Sequence, residues 1–114
     1  MSTSVPELQA ATAVSVNVTK DMLSVELSDG RMIAAPVAWF PRLRHGTMAE
    51  RRRWRIIGPG IGVHWPELDE DISVEGLLLG RPSGESQASI RRWLEQRKNA
   101  KADNGSRTRR RRSE

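Results

Sequence analysis

Apolar and polar residues alternate with a period of two across residues 14–19 and 23–28, the most regular pattern in the chain. Side chains on a strand point alternately to its two faces, so this period is typical of half-buried strands. Two such runs flank Lys20-Asp21, where a connection of two or four residues predicts three cross-strand pairs: Val18 with Leu23, Val16 with Val25, and Val14 with Leu27.

The Asp29-Gly30 pair predicts a second hairpin with a two-residue type I′ turn, which requires positive φ at both central residues. That turn implies three further pairs: Leu27 with Met32, Val25 with Ala34, and Leu23 with Pro36. The apolar side chains of all three strands then share one face. The pattern therefore predicts a three-stranded antiparallel meander from Ala13 to Pro36.

Shorter elements are predicted after the meander. Residues 37–43 are mostly apolar and are interrupted by Pro41, which indicates a crossing from the sheet toward a helix. Thr47 and Glu50 have the spacing of a capping box and predict a helix from Met48 to Trp54. A glycine-rich turn then leads into a further short strand at residues 61–65. Another helix is predicted at residues 74–79, with Ser73 as its cap and Gly80 at its end.

The C-terminal quarter changes character. Residues 82–84, Pro-Ser-Gly, indicate a linker, and residues 86–100 predict an amphipathic helix with Ile90, Trp93 and Leu94 on one stripe. The fold class is therefore predicted as α+β, with the meander and the further strand packed against two or three short helices. The predicted boundaries are a loose lead at 1–12, a compact domain at 13–80, a linker and helix at 81–100, and a disordered basic tail at 101–114.

Charge is divided unevenly along the 114 residues, whose formal net charge is +5. Residues 1–90 contain 9 Lys or Arg and 11 Asp or Glu, whereas residues 91–114 contain 10 and 3. A basic tail on a mildly acidic body is typical of contact with nucleic acid or an acidic partner. The alternative is a solvated end that binds nothing. The candidate phosphate contacts are Arg107, Arg109, Arg110, Arg111 and Arg112.

Candidate chemistry is sparse. The glycines of residues 58–62 lack the Gly-Lys-Ser/Thr ending of a phosphate loop and are interpreted as a turn. The acidic residues 67–71 lack the glycine and glutamate of a calcium loop, so they are expected to favour a helix N-terminus and to pair with arginines. His64 is interpreted as a strand histidine. With no cysteine and no serine elbow, the sequence predicts no enzyme, no cofactor and no metal site.

The tryptophans allow two interpretations. Each can bury a large apolar area, so the four together are predicted to form much of the core of the second half. The alternative is base stacking, which is disfavoured because the basic residues and the tryptophans are not interleaved on one strand face. No leader segment and no membrane-spanning stretch is recognised, so the protein is expected to be cytoplasmic.

From Ala13 to about Gln96 the chain resembles a bacterial family known as domain of unknown function 2442. The resemblance rests on five segments, at residues 27–31, 39–43, 47–51, 60–73 and 76–78. The signature positions within or beside them are Asp29, Gly30, Pro41, Thr47, Glu50, Gly60, Gly62, Trp65, Pro66, Asp69 and Asp71.

The resemblance implies a compact α+β domain with no assigned activity. It also implies that in some relatives this domain precedes a helix-turn-helix domain. Small members of the family are often encoded beside another short protein, in an arrangement similar to a toxin–antitoxin pair. The single helix predicted at residues 86–100 does not match a helix-turn-helix.

Two functional hypotheses follow. The first is a protein-binding accessory module, antitoxin-like, that contacts a partner or a second copy through the outer edge of its first strand. In the competing arrangement the strand at residues 61–65 covers that edge. The second hypothesis is a nucleic-acid-binding protein that uses the arginine tail.

Overall fold

A computed structural model of the chain describes the backbone of residues 11–113 and the side chains of residues 11–101. The described chain divides into two units, of which the first ends at Ser83 and the second begins at Gly84. The first unit contains two separate three-stranded antiparallel sheets and several short helices, which confirms the predicted α+β class.

The first sheet is the predicted meander, with strands β1 (Ala13–Val18), β2 (Met22–Leu27) and β3 (Met32–Pro36) in that order. The pairs Val18–Leu23 and Val16–Val25 are confirmed. The connection between β1 and β2 is a tight turn at Lys20-Asp21, as the sequence predicted, and it is closed by Thr19 N–H donating to Met22 O at 2.8 Å.

The predicted register between β2 and β3 is wrong by one residue. Val25 pairs with Ile33 and Leu23 pairs with Ala35. The loop holds three residues, Ser28 to Gly30, because Leu27 N–H donates to Arg31 O at 2.8 Å and Gly30 takes a φ of 94°. A turn followed by a left-handed residue is the other hairpin that an Asp-Gly sequence favours.

This shift reverses the faces of β3, because neighbouring residues on a strand point to opposite sides. Ala35 is buried and Ile33 is half-buried, whereas Met32 is 65% exposed and Ala34 is exposed. The predicted core positions Met32 and Ala34 therefore lie on the outer face.

The predicted register between β1 and β2 is wrong at the start of β1, where the strand contains a β-bulge. Leu27 pairs with Ala13 and not with Val14, because the ladder is irregular between Ala13 and Ser15. The extra residue turns Val14 outward, where it is 50% exposed, and Ala13 takes the core position.

The second sheet contains β4 (Arg55–Ile57), β5 (Gly62–Trp65) and β6 (Glu70–Ser73), in the order β4-β5-β6. Strand β5 is the further strand predicted from the sequence, and it is the central one of three. Its flanking strands were not predicted, since three or four residues with charged ends carry little periodic signal.

The helices of the first unit are short, and two of them begin after the predicted caps Thr47 and Ser73. A 3-10 helix spans Val37–Trp39, and α1 (Pro41–His45) has Pro41 at its first position. Helix α2 (Met48–Arg52) has the complete capping box of Thr47 and Glu50 but is shorter than predicted. Helix α3 (Val74–Leu78) is capped by the Ser73 side chain, which accepts from Gly76 N–H at 2.9 Å.

The core of the first unit lies on one face of the meander and includes the inward side of β5. Its completely buried side chains come from both sheets and from the segments between them: Leu23, Val25, Leu27, Val37, Leu43, Val63, Trp65 and Leu68. The prediction for the tryptophans holds for Trp65, which is 0% exposed, whereas Trp39 is 36% exposed.

The second unit contains the helix α4 (Gln87–Ser113). Ser86 caps its first turn by accepting from Ser89 N–H at 3.1 Å, and the Arg97 guanidinium lies 4.8 Å from the centre of the Trp93 ring. The helix passes residues 103–106, where the sequence predicted its end. The side chains after residue 101 lie outside the described residues, so the disordered tail stays a prediction.

Candidate functional site

Arg51 is a buried cation in the first unit, and it joins three segments. Its side chain is 6% exposed. The guanidinium donates to Leu43 O at 2.8 Å and Arg44 O at 2.9 Å at the end of α1. It also donates to Thr19 O at 2.9 Å and Lys20 O at 3.1 Å in the turn after β1. Arg51 therefore fixes both helices against the end of the first hairpin.

The capping box determines where Arg51 lies along α2. With Thr47 as the cap, Arg51 is at the fourth helical position, and its N–H donates to Thr47 O at 2.9 Å. The buried Trp65 supports it from β5, since the indole N–H donates to Arg51 O at 3.0 Å. Arg51 was overlooked because it is one of a run of arginines at residues 51–53.

The outer edge of β1 carries main-chain groups that do not face β2. Thr19 N–H donates to Met22 O, so these residues form a hydrogen-bonded pair. In an antiparallel ladder such pairs alternate with pairs that exchange no main-chain bond. By this alternation Asn17 bonds to β2, whereas the N–H and C=O groups of Val16 and Val18 point away from it.

The outer edge of β3 differs from that of β1. Leu27 N–H donates to Arg31 O, so the same alternation turns Ala34 and Pro36 outward on β3. Pro36 has no N–H group to offer there, and a proline on an edge strand is a common way to block strand addition. Strand β1 has no proline, so of the two edges of this sheet it is the better template for a further strand.

The structure also decides between the two arrangements considered for β1. Within the described residues, β1 pairs with β2 alone, and β5 lies in the other sheet between β4 and β6. One bond reaches β1 from that region, in which Ala13 N–H donates to Gly60 O at 2.8 Å. The competing arrangement, in which residues 61–65 cover the edge, is therefore wrong, and among residues 11–113 no strand pairs with the outer side of Val16 to Val18.

A groove of about 480 Å³ follows this open edge. One wall is formed by residues 16–20 of β1 and its turn. The other wall is formed by α2 and the residues after it, with Met48, Arg51, Arg52 and Trp54. Arg52 is exposed, Met48 is 40% exposed and Trp54 is half-buried, so the groove offers both apolar surface and positive charge.

The acidic segment 67–71 pairs with basic side chains, as predicted. Arg53 donates to Glu67 at 2.5 Å, and Arg42 lies 3.6 Å from the Asp69 carboxylate. His64 Nδ1 and Asp71 Oδ1 lie 2.5 Å apart on directly opposed positions of β5 and β6. Two of these contacts connect the loop between β5 and β6 to Arg42 and Arg53, and the third joins β5 to β6.

Metal-binding clusters and membrane-spanning helices are both absent from the described residues. No group of three or more His, Asp or Glu side chains there is arranged to hold a metal ion. Among the same residues no helix is long and apolar enough to cross a membrane.

Asp29 shapes the turn between β2 and β3. The Arg31 N–H donates to its carboxylate at 3.0 Å, and Arg31 Nε donates to the other oxygen at 2.8 Å. The hydrogen bond from the Arg31 amide, more than the guanidinium, lowers the pKa of Asp29 below its ordinary value.

Several of the remaining signature positions lie in turns or at close backbone contacts. The described signature residues do not surround a single cavity. Gly60 has a φ of 114° and lies against Thr12 and Ala13, while Gly62 approaches the backbone of β6. Asp69 has a positive φ of 50° in the turn that contains Pro66. The tail arginines Arg107, Arg109, Arg110, Arg111 and Arg112 lie outside the described side chains.

The sequence profile of a family described as Protein of unknown function (DUF2442) matches residues 13–83. The chain belongs to this family. The match covers both sheets, the groove beside β1, and Arg51 with its four carbonyl partners. It confirms the resemblance seen in the sequence.

Two solved structures are similar to this DUF2442 chain. A crystal structure of a protein of unknown function from Rhodospirillum rubrum is 26% identical, with a TM-score of 0.58 over 70% of this chain and 96% of that chain. A solution structure of the uncharacterized protein CV0863 from Chromobacterium violaceum is 24% identical, with a TM-score of 0.60 over 71% of this chain and 76% of that chain. No curated protein matches the chain.

Proposed function

We propose that this DUF2442 protein is a non-enzymatic binding module that captures an extended segment of a partner protein along the outer edge of β1. The observation that carries the proposal is the outward direction of the main-chain groups of Val16 and Val18 beside an open groove. An extended peptide satisfies such groups by adding a strand, and main-chain bonds then supply affinity while side-chain pockets supply selectivity.

The anchoring of the edge supports this function. Arg51 bonds the carbonyls of Thr19 and Lys20 and so holds the end of β1 against α2. A rigid edge loses little conformational entropy when a strand is added, and preorganisation of this kind strengthens binding. The exposed side chains of Asn17 and Thr19 lie beside the same edge and can contribute to selectivity.

The first partner to test is the small protein expected from an antitoxin-like arrangement, encoded beside this chain. The two proteins are co-expressed and the complex is measured by size-exclusion chromatography, with Val16→Pro as the test variant. Proline at position 16 removes an outward N–H and leaves the bonds to β2 in place. We expect this variant to melt like the wild type and to lose the complex.

Two matched proline variants complete the experiment. Ala34→Pro removes an outward N–H at the opposite edge of the same sheet, and it is expected to keep the complex. Asn17→Pro removes an N–H that bonds to β2, and it is expected to destabilise the fold itself. A complex that survives Val16→Pro and is lost with Ala34→Pro would place the interface elsewhere. Self-association is measured in the same runs without the partner.

The second candidate function is nucleic-acid binding through the tail, and the segregated charge of residues 91–114 favours it. Deleting residues 101–114 removes six Lys or Arg and two acidic residues, which lowers the formal net charge from +5 to +1. If the tail is the contact, binding to a DNA duplex falls steeply with added salt and vanishes on truncation, while the first unit still folds. Sequence preference that survives truncation would contradict this function.

A further inference from the structure

We propose that the groove beside β1 selects an extended partner segment that carries carboxylate side chains, an inference that rests on the proposed function and narrows its partner class. The basic side chains in the groove are Lys20, Arg51 and Arg52, and none of the residues that line it is acidic. The apolar side chains of Met48 and Trp54 line the same groove. An acidic strand with interspersed apolar side chains complements such a groove.

Arg51 contributes more to this selectivity than its low exposure suggests. Its four oxygen partners are main-chain carbonyls, the groups of Thr19, Lys20, Leu43 and Arg44. These acceptors satisfy its N–H groups but carry no net charge. The positive charge of Arg51 is therefore not neutralised by them, and in a partly buried site it is screened less than a charge at the surface. It adds to the field of the exposed Lys20 and Arg52.

The edge distinguishes a peptide from the other ligands that a basic groove attracts. The outward groups of Val16 and Val18 include both N–H donors and C=O acceptors. This alternation of donors and acceptors is complementary to that of another peptide backbone. Phosphates offer acceptors and leave the carbonyls unsatisfied. A second copy is also disfavoured, because residues 13–18 are Ala-Val-Ser-Val-Asn-Val and bring no carboxylate to the groove.

The test uses three synthetic peptides of seven residues with blocked ends. One alternates Val with Glu, one alternates Val with Gln, and one alternates Val with Lys. Binding to the full chain is measured by isothermal calorimetry at low salt. We expect the Glu peptide to bind about tenfold more tightly than the Gln peptide, as two or three partly exposed charge pairs allow, and the Lys peptide to bind least.

Charge-reversal variants test whether the groove is responsible for the preference for the Glu peptide. The double substitution Lys20→Glu with Arg52→Glu changes the groove and is expected to reverse the order of the Glu and Lys peptides. The matched control, Arg55→Glu with Arg81→Glu, makes the same change in net charge at exposed positions that do not line the groove. This control is expected to keep the preference for Glu.

The outcomes separate the inference from the function on which it rests. If Val16→Pro abolishes binding of all peptides but the groove reversal leaves the Glu preference unchanged, the acidic selectivity is wrong and the edge function stands. If Val16→Pro leaves peptide binding unchanged, the edge function is wrong. Single-stranded DNA is the last probe. If DNA binds the wild type and Val16→Pro but does not bind the variant with Lys20→Glu and Arg52→Glu, the ligand is a nucleic acid and the peptide proposal is overturned.

Discussion

The guanidinium of Arg51 donates to the main-chain carbonyl of Thr19 at 2.9 Å, across 32 positions of the sequence. This bond connects the helix α2 to the end of β1. Because the same side chain also bonds the end of α1, a single residue determines the position of one wall of the groove relative to the other. The proposed binding edge therefore depends on a charged residue in the interior.

Replacement of Arg51 tests this anchoring. Arg51→Lys keeps the charge, but the compact ammonium cannot reach the carbonyls of Thr19 and Leu43 together. Buried hydrogen bonds that involve a charged group contribute about 1.5–3 kcal/mol each, so we expect a loss of about 2–4 kcal/mol in the free energy of unfolding. Arg52→Lys is the matched control and should stay within about 0.5 kcal/mol of the wild type, because Arg52 is exposed. Urea denaturation measures both, and equal stabilities would contradict the anchoring role.

The corrected register makes opposite predictions for two valines. Val25 is 0% exposed on the central strand, with Val16 and Ile33 as its neighbours. Val25→Asp buries an unpaired carboxylate, and we expect it to cost about 3 kcal/mol or more. Val14→Asp at the bulge should be tolerated, because Val14 is 50% exposed. Thermal melting of the two variants measures the difference. A severe loss of stability with Val14→Asp would support the register without a bulge, in which Val14 pairs with Leu27.

Gly60 tests the contact between the glycine turn and the start of β1. A Cβ at this position lies 2.6 Å from the Thr12 Cβ and 2.9 Å from Ala13 O. Gly60→Ala adds this collision to the strain of a positive φ. Gly30→Ala has the strain alone, since nothing lies within 4 Å of its Cβ. We expect Gly30→Ala to cost about 1–2 kcal/mol and Gly60→Ala to exceed it by about 1 kcal/mol or more. The reverse order in denaturant unfolding would contradict the close approach.

The turn at Asp29 predicts a pH dependence. Its pKa is lowered in the folded chain, so the contribution of Asp29 to stability is complete above the ordinary pKa of about 3.9 and is lost as the pH falls through the lower folded value. We expect Asp29→Asn to be less stable than the wild type near neutral pH, with a difference that shrinks in acid. Urea midpoints measured across this range would contradict the role of Asp29 if the difference were constant.

Much of the first sheet could be predicted because the period-two pattern covers its first two strands and the turn between them lies at Lys20-Asp21. The second turn could not be predicted from the sequence, since Asp29-Gly30 suits loops of two or three residues, and the choice between them moves every side chain of β3 to the other face. The bulge at Val14 leaves no mark in the alternation. The bulge lies next to a tertiary contact, in which Ala13 N–H donates to Gly60 O at 2.8 Å.

The candidate site was predicted only in part. The outer edge of β1 followed from its position at the start of the meander, and the structure adds the directions of its main-chain groups. The groove could not be predicted, because it depends on Arg51 bonding carbonyls that are far apart in sequence. In a run of neighbouring arginines, composition does not identify the buried one. The tail arginines stay a sequence-based prediction.

Residue-resolved amide hydrogen exchange of the ¹⁵N-labelled full chain, alone and with saturating Glu–Val peptide, tests the central claim most directly. Without peptide, the amides of Val16 and Val18 should exchange much faster than those of Asn17 and Val25, although all four lie in strands. With peptide, protection should rise about tenfold or more at Val16 and Val18 and stay unchanged at Ala34. Bound peptide that leaves Val16 and Val18 unprotected would contradict strand addition at β1.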